Sequence, residues 1–222
     1  MGGKLIVIEG LDGSGKATQA EMLYKELQDK NVLVRKISFP NYDSASSSLV
    51  KMYLNGEFGS HPDDVNAYAA SSFYAVDRYA SYKKDWKEFL DSGGTVIADR
   101  YTTSNAIHQC SKLPNEKWSE YLNWLFVYEY QLLGIPKPTL TLYLHVDPEV
   151  SQRLISKRYK GDEQKKDIHE KDLDYLKRSQ DAASYCVDKL GWIVIECCKD
   201  GAMQSIDEIH SNIMQSIFNN KN

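Results

Sequence analysis

Gly10, Gly13, Gly15 and Lys16 share one short run, Gly10-Leu-Asp-Gly-Ser-Gly-Lys16, and that spacing could hold a phosphate group. Glycines let the backbone wrap an anion with its N–H groups, and a helix opening at the lysine adds the favourable end of its dipole. The Lys16 ammonium could reach the β- and γ-phosphates of a nucleoside triphosphate. Ser14, Ala17 and Thr18 complete the stretch. The usual pattern carries a hydroxyl directly after the lysine as a magnesium ligand. Ala17 has none, and the Thr18 hydroxyl, one place on, leaves the helix in another direction. Asp12, inside the loop, is the expected substitute, directly or through water. Alternatively, Asp12 only caps the loop.

A second constellation is Asp99-Arg100-Tyr101, at the end of an apolar run. In open α/β sheets, ligands bind beyond the carboxyl ends of strands. Arg100 there could clamp a phosphate with two parallel hydrogen bonds. Asp99 could enter a magnesium shell or orient an acceptor oxygen. The alternative is a buried ion pair that merely closes a strand.

These residues need rigid elements to hold them. Lys4–Glu9, Val32–Phe39, Thr95–Asp99, Leu140–Val146 and Trp192–Cys197 are short β-rich runs bounded by breakers, and each reads as a strand. Helical patterns lie between and after them: 17–29, 44–55, a long run at 63–91, then 104–110, 116–133, 148–158, 169–189 and 206–218. Alternating strands and helices imply an α/β fold with a five-stranded parallel sheet covered on both faces. The charged segment after Arg158 holds almost no apolar residue and reads as part of a short mobile lid, approximately 153–168. Tyr68, Tyr79 and Tyr82 on the long helix read as packing residues.

The 222 residues, 42% hydrophobic, suffice for one domain over 1–222. With 27 basic and 31 acidic residues, the net charge of −4 lacks the basic footprint of nucleic-acid binding. The N-terminal apolar run is too short for a signal or membrane segment, which gives the expectation of a cytoplasmic protein with no membrane partner. Cys110, Cys186, Cys197 and Cys198 fit no zinc spacing and read as reduced thiols. His61, His145, His169 and His210 match no partner pattern and read as structural or surface residues.

Taken together, these motifs resemble the thymidylate kinase family of P-loop nucleoside monophosphate kinases. The resemblance rests on the glycine loop with acidic Asp12, on Phe39-Pro40, on Phe73-Tyr-Ala-Val-Asp-Arg78, and on Asp99-Arg100-Tyr101 with Ser104 and Asn105. It implies a P-loop NTPase-type fold and transfer of the ATP γ-phosphoryl to dTMP with Mg2+, in dTTP biosynthesis. Lys16 and the loop from Gly10 to Thr18 would bind ATP, with Arg153 beside them. Asp12 would lie at the acceptor phosphate and sugar, near Phe39 and Pro40, and Arg100 would bridge the two phosphates. Tyr74 would stack on the base, Arg78 would hydrogen-bond thymine, and Asn105, His108 and Gln109 would lie along base and sugar. Asp12 and Asp99 would hold the metal. Gly13 replaces an arginine that some members carry in the loop, so the lid would supply it, with Arg158 as the expected catalyst. A homodimer through the helices is also implied. Asn41-Tyr42 and His108 depart from the family pattern and leave open a different deoxynucleotide or a deoxynucleoside as acceptor. Ala17 leaves open a catalytically impaired nucleotide-binding protein.

Overall fold

In a computed structural model, residues 2–147, 149–151, 153–154 and 168–219 are described. Strand β1 (Lys4–Glu9) lies at the centre of the sheet. Strands β2 (Val34–Ser38), β3 (Thr95–Asp99), β4 (Leu140–His145) and β5 (Ile193–Glu196) complete it in the order β2-β3-β1-β4-β5. Every pairing in this sheet is parallel. The three inner strands, β1, β3 and β4, are buried on both faces, which is why they read as near-continuous apolar runs, whereas the edge strands β2 and β5 stay partly exposed.

The two-residue period splits β1 between two cores. Ile6 and Ile8 meet Ile97, Leu142, Leu144 and Ile195 on one face. There they pack on Ala20, Leu23 and Leu27 of α1 (Lys16–Asp29) and on the C-terminal helix. Leu5 and Val7 face the other way, onto Phe39, Trp86, Leu90 and Tyr101. Because β1 and β3 are in register from Lys4↔Thr95 to Ile8↔Asp99, they end side by side, and the glycine loop and Arg100 emerge together.

The remaining helices are α2 (Ser48–Leu54), α3 (Ala67–Ser81), α4 (Lys87–Asp91), α5 (Thr102–Cys110), α6 (Trp118–Phe126), α7 (Ile168–Lys171), α8 (Leu173–Leu190) and α9 (Ile206–Asn219). The long run expected at 63–91 starts later. Pro62–Asp64 forms a tight turn, and the Asn66 side chain accepts from the N–H groups of Tyr68 and Ala69, so the regular helix begins at Ala67. It continues through a wide turn, Tyr82–Trp86, into α4. A similar wide turn, Val127–Leu132, follows α6. The helix expected at 169–189 is cut by Asp172, whose carboxylate caps α8 at the N–H of Tyr175. A small antiparallel hairpin, Cys198–Lys199 with Ala202–Met203, was not anticipated. Tyr82 is buried as expected, Tyr68 is partly exposed but packs its ring on Tyr121 and Trp124, and Tyr79 stays exposed. The lid segment at 155–167, with Arg158, lies outside the described residues.

Candidate active site

The glycine loop closes over the carboxyl end of β1. A Cβ on Gly10 would sit 2.6 Å from Ser14 Oγ and 2.8 Å from the Leu144 carbonyl, so no larger residue fits. Gly15 ends the loop with φ near 84°, a left-handed conformation that glycine adopts without strain, and α1 starts at the next residue. Lys16 is buried and folds back, its ammonium donating to the Leu11 carbonyl at 2.8 Å and to Ser14 Oγ at 3.4 Å. Burial, with Arg100 adding repulsion, pulls its pKa from 10.5 down to about 8, against the pull of Asp12, Glu9 and Asp99.

Arg100 has φ of 66°, a rare backbone conformation for a side chain of this size. It turns the guanidinium back across the loop. Nη2 donates to Asp12 Oδ1, while Nη1 lies 3.2 Å from Ser104 Oγ, 3.4 Å from His108 Nε2 and 3.5 Å from Glu9 Oε1. Burial opposes charge on Asp12, but Arg100 and then Lys16 outweigh it and hold the carboxyl well below its usual range. The carboxylate is therefore ionised across the working pH range.

Glu9 was not picked out from the sequence, although it anchors this corner. It is fully buried and accepts from Gly10 N–H at 3.0 Å, Thr103 Oγ1 at 2.6 Å and Ser104 Oγ at 2.8 Å. An acid ending a buried strand just before the glycine loop was the available signal.

Beyond Arg100 opens a cavity of about 120 Å³. Of the expected acceptor residues, Asp12, Pro40, Tyr74, Arg100, Asn105, His108 and Gln109 line it. Tyr42, Leu54, Ser104 and His169 join them. Gln109 is fully buried, with both amide atoms lacking a partner among the described residues. A polar group left so is the kind a ligand satisfies.

Several assignments need correction. His169 is not a bystander: it lines the cavity, its Nε2 lies 2.8 Å from Tyr53 Oη, and its ring stacks 6.0 Å from that of His108. Position 169 falls just beyond the charged segment, where the periodicity carried no hint of a site. Burial, then the Arg100 charge, push the His108 pKa down to about 3, so it works as a neutral imidazole. Phe39 does not line the cavity; it packs in the core, 6.0 Å from the Tyr101 ring. Arg78 does not line it either. Its guanidinium lies behind the cavity wall, where Glu129 accepts from Nε at 2.7 Å and Nη2 at 2.6 Å. A buried guanidinium needs such a partner, and Glu129 supplies it.

On the donor side, Ala17 and Thr18 are exposed on the first turn of α1. Arg153 donates to the Gly201 carbonyl at 3.2 Å, in the hairpin whose Met203 approaches Gly15. Asp99 ends β3, and its buried Oδ1 has no partner among the described residues. No cluster of three or more metal-ligating side chains occurs among the described residues. Magnesium asks for less than such a cluster, because one or two carboxylates plus phosphates and waters hold it.

Comparison with known proteins agrees with this geometry. A family model described as thymidylate kinase matches residues 8–213. A probable thymidylate kinase of Pyrococcus horikoshii is 30% identical over 96% of this chain and 95% of its own. A thymidylate kinase of Plasmodium falciparum is 27% identical, covering 97% and 90%. The solved structure of thymidylate kinase from Candida albicans superposes with a TM-score of 0.74 over 99% of this chain and 93% of its own, at 24% identity. That last likeness bears on the fold alone. The family model spans nearly all of the chain, from the end of β1 to the last helix: this protein belongs to the thymidylate kinase family.

Proposed function

We infer that the chain transfers the γ-phosphoryl group of ATP to dTMP, yielding ADP and dTDP. The observation that carries this reading is the Asp12–Arg100 pair, seated between the Lys16 loop and the cavity. A phosphate at the loop and a second phosphate at the cavity mouth would meet across Arg100. An oxygen of the acceptor phosphate attacks the γ-phosphorus, and the bond to the β–γ bridging oxygen breaks. The acceptor is already an anion, so no base need take a proton. What the reaction needs is positioning and neutralised charge. Lys16 binds the donor oxygens, Arg100 spans donor and acceptor, and Ser104 with Glu9 keeps Arg100 in place. Asp12 orients Arg100 and faces the acceptor. Magnesium, when bound, would lie at Asp12 and Asp99 and neutralise charge on the donor oxygens.

A coupled ADP-release assay tests this with thymidine, dTMP, dUMP, dCMP, dGMP and dAMP as acceptors. Turnover selective for dTMP is expected. Turnover on thymidine alone would replace this reading with a nucleoside kinase. ATP binding without turnover on any acceptor would replace it with a binding role.

The same reading includes Arg153 on the ATP side, a cytoplasmic site of action that four free thiols suit, and a homodimer. No described helix is long and apolar enough to cross a membrane. Val76, Tyr68 and Tyr79 of α3 are 41%, 38% and 39% exposed, and the Tyr68 ring packs at 4.7 Å on Trp124 of α6. Apolar side chains grouped on an outer helical face support association through it. Val76→Asp should convert a dimer to a monomer in size-exclusion chromatography with light scattering. A wild-type monomer, or a dimer that survives the substitution, would rule this face out.

A further inference from the structure

Glu129 occupies a position that the helical pattern reserves for an apolar residue. Trp118, Tyr121, Leu122 and Leu125 form the buried stripe of α6, and Glu129 follows one turn on, inside the wide turn Val127–Leu132. It is completely buried. Wide turns shift the register of a helix and often mark functional positions. Here the turn places a carboxylate against the back of the acceptor cavity.

All of its hydrogen-bonding capacity is used. Oε2 accepts from Arg78 Nε at 2.7 Å and Thr102 Oγ1 at 2.8 Å. Oε1 accepts from Arg78 Nη2 at 2.6 Å and Asn105 Nδ2 at 3.1 Å. Asn105 Nδ2 also donates to the Ser71 carbonyl at 3.2 Å. Both hydrogens of that amide are therefore committed behind the wall. Its carbonyl oxygen makes no hydrogen bond among the described residues, and Asn105 lines the cavity. The polar atom it offers a ligand is an acceptor.

We propose that Glu129 is a specificity-positioning residue: by fixing the Asn105 amide, it makes the cavity accept a base with a ring N–H. The inference rests on the reading that a pyrimidine monophosphate binds there. Thymine and uracil carry a hydrogen at N3, which an amide oxygen can accept. Cytosine carries a lone pair at N3, which that oxygen repels. A buried ion pair is a weak stabiliser compared with an apolar substitute of equal volume, so stability alone is a poor reason to keep Glu129. Orienting an amide that could otherwise flip is a better one.

The test is equilibrium binding of dTMP, dUMP and dCMP by calorimetry, which does not depend on turnover. The wild type should favour dTMP and dUMP over dCMP. In Glu129→Gln the new side-chain amide can donate, Asn105 can reverse, and dTMP binding should weaken by roughly tenfold or more. The preference over dCMP should largely vanish, with ATP binding unchanged. If the glutamine variant does not fold, Glu129→Asp keeps a charge opposite Arg78 but withdraws from Asn105, and it should show the same loss of preference. A folded variant whose Tm falls while its dTMP-to-dCMP preference holds would reduce Glu129 to a structural role. A wild type that binds dCMP as tightly as dTMP would overturn the proposal outright. Failure of the wild type to phosphorylate dTMP would instead strike the function proposed above and leave this binding result standing.

Discussion

Arg100→Ala should lower kcat/KM for dTMP by about three orders of magnitude, the scale seen when an arginine that neutralises a transferring phosphoryl is lost. The guanidinium reaches Asp12, Ser104, His108 and Glu9 from one position, so no neighbour can replace it. Arg100→Lys should recover only part of the loss, because an ammonium is a point charge and cannot span two phosphates. The fold should survive, since Glu9 keeps its bonds from Gly10, Thr103 and Ser104. The backbone supplies a second arm. With φ at 66°, alanine is strained there by about 1 kcal/mol, and glycine is not. Arg100→Gly should thus be as inactive as Arg100→Ala yet melt slightly higher. Steady-state kinetics and a melting curve check both. A loss below tenfold would remove Arg100 from the reacting centre.

Most of the scaffold was legible because its signals are local. The inner strands are apolar runs, all five strand candidates are closed by Gly, Pro or a charged pair, and the parallel sheet follows from their alternation with helices. The phosphate loop was legible for the same reason, since strand, glycines, lysine and helix are contiguous. The less legible features depend on distant contacts. Nothing near His169 says that Tyr53 and His108 will meet it, because those partners come from α2 and α5. Arg78 lies one turn from Tyr74, and the family resemblance assigned both to the base. The carboxylate that pairs with Arg78 arrives from the turn after α6, where Glu129 breaks an apolar stripe. The irregular helix ends have a similar cause. Asn66 and Asp172 offer the backbone a local cap, and caps decide where a helix starts within a run of good helix formers.

Lys16→Ala should lower turnover by roughly two to three orders of magnitude, as when one preorganised donor to developing charge is removed. A pH series separates this role from a merely structural one. Burial, with Arg100 nearby, leaves the Lys16 pKa at about 8 in the nucleotide-free protein. Bound phosphate oxygens favour the ammonium and raise it again. ATP binding above pH 8 must therefore take up a proton, and affinity for ATP should fall by up to tenfold per pH unit there. The Ala variant should lose that dependence. The stability effect has the opposite sense. The folded pKa lies below the ordinary 10.5, so the folded chain sheds this proton first and gains stability as pH rises from about 8 towards 10.5. Below pH 8 the buried charge is a standing cost. Lys16→Met, which keeps most of the unbranched stem and removes the charge, should consequently melt no lower than the wild type at pH 7 while being inactive. A variant both inactive and strongly destabilised at that pH would mean that the bonds to Leu11 and Ser14 hold the loop together. A stable, inactive one would mean that the ammonium is kept for the phosphates, at the fold's expense.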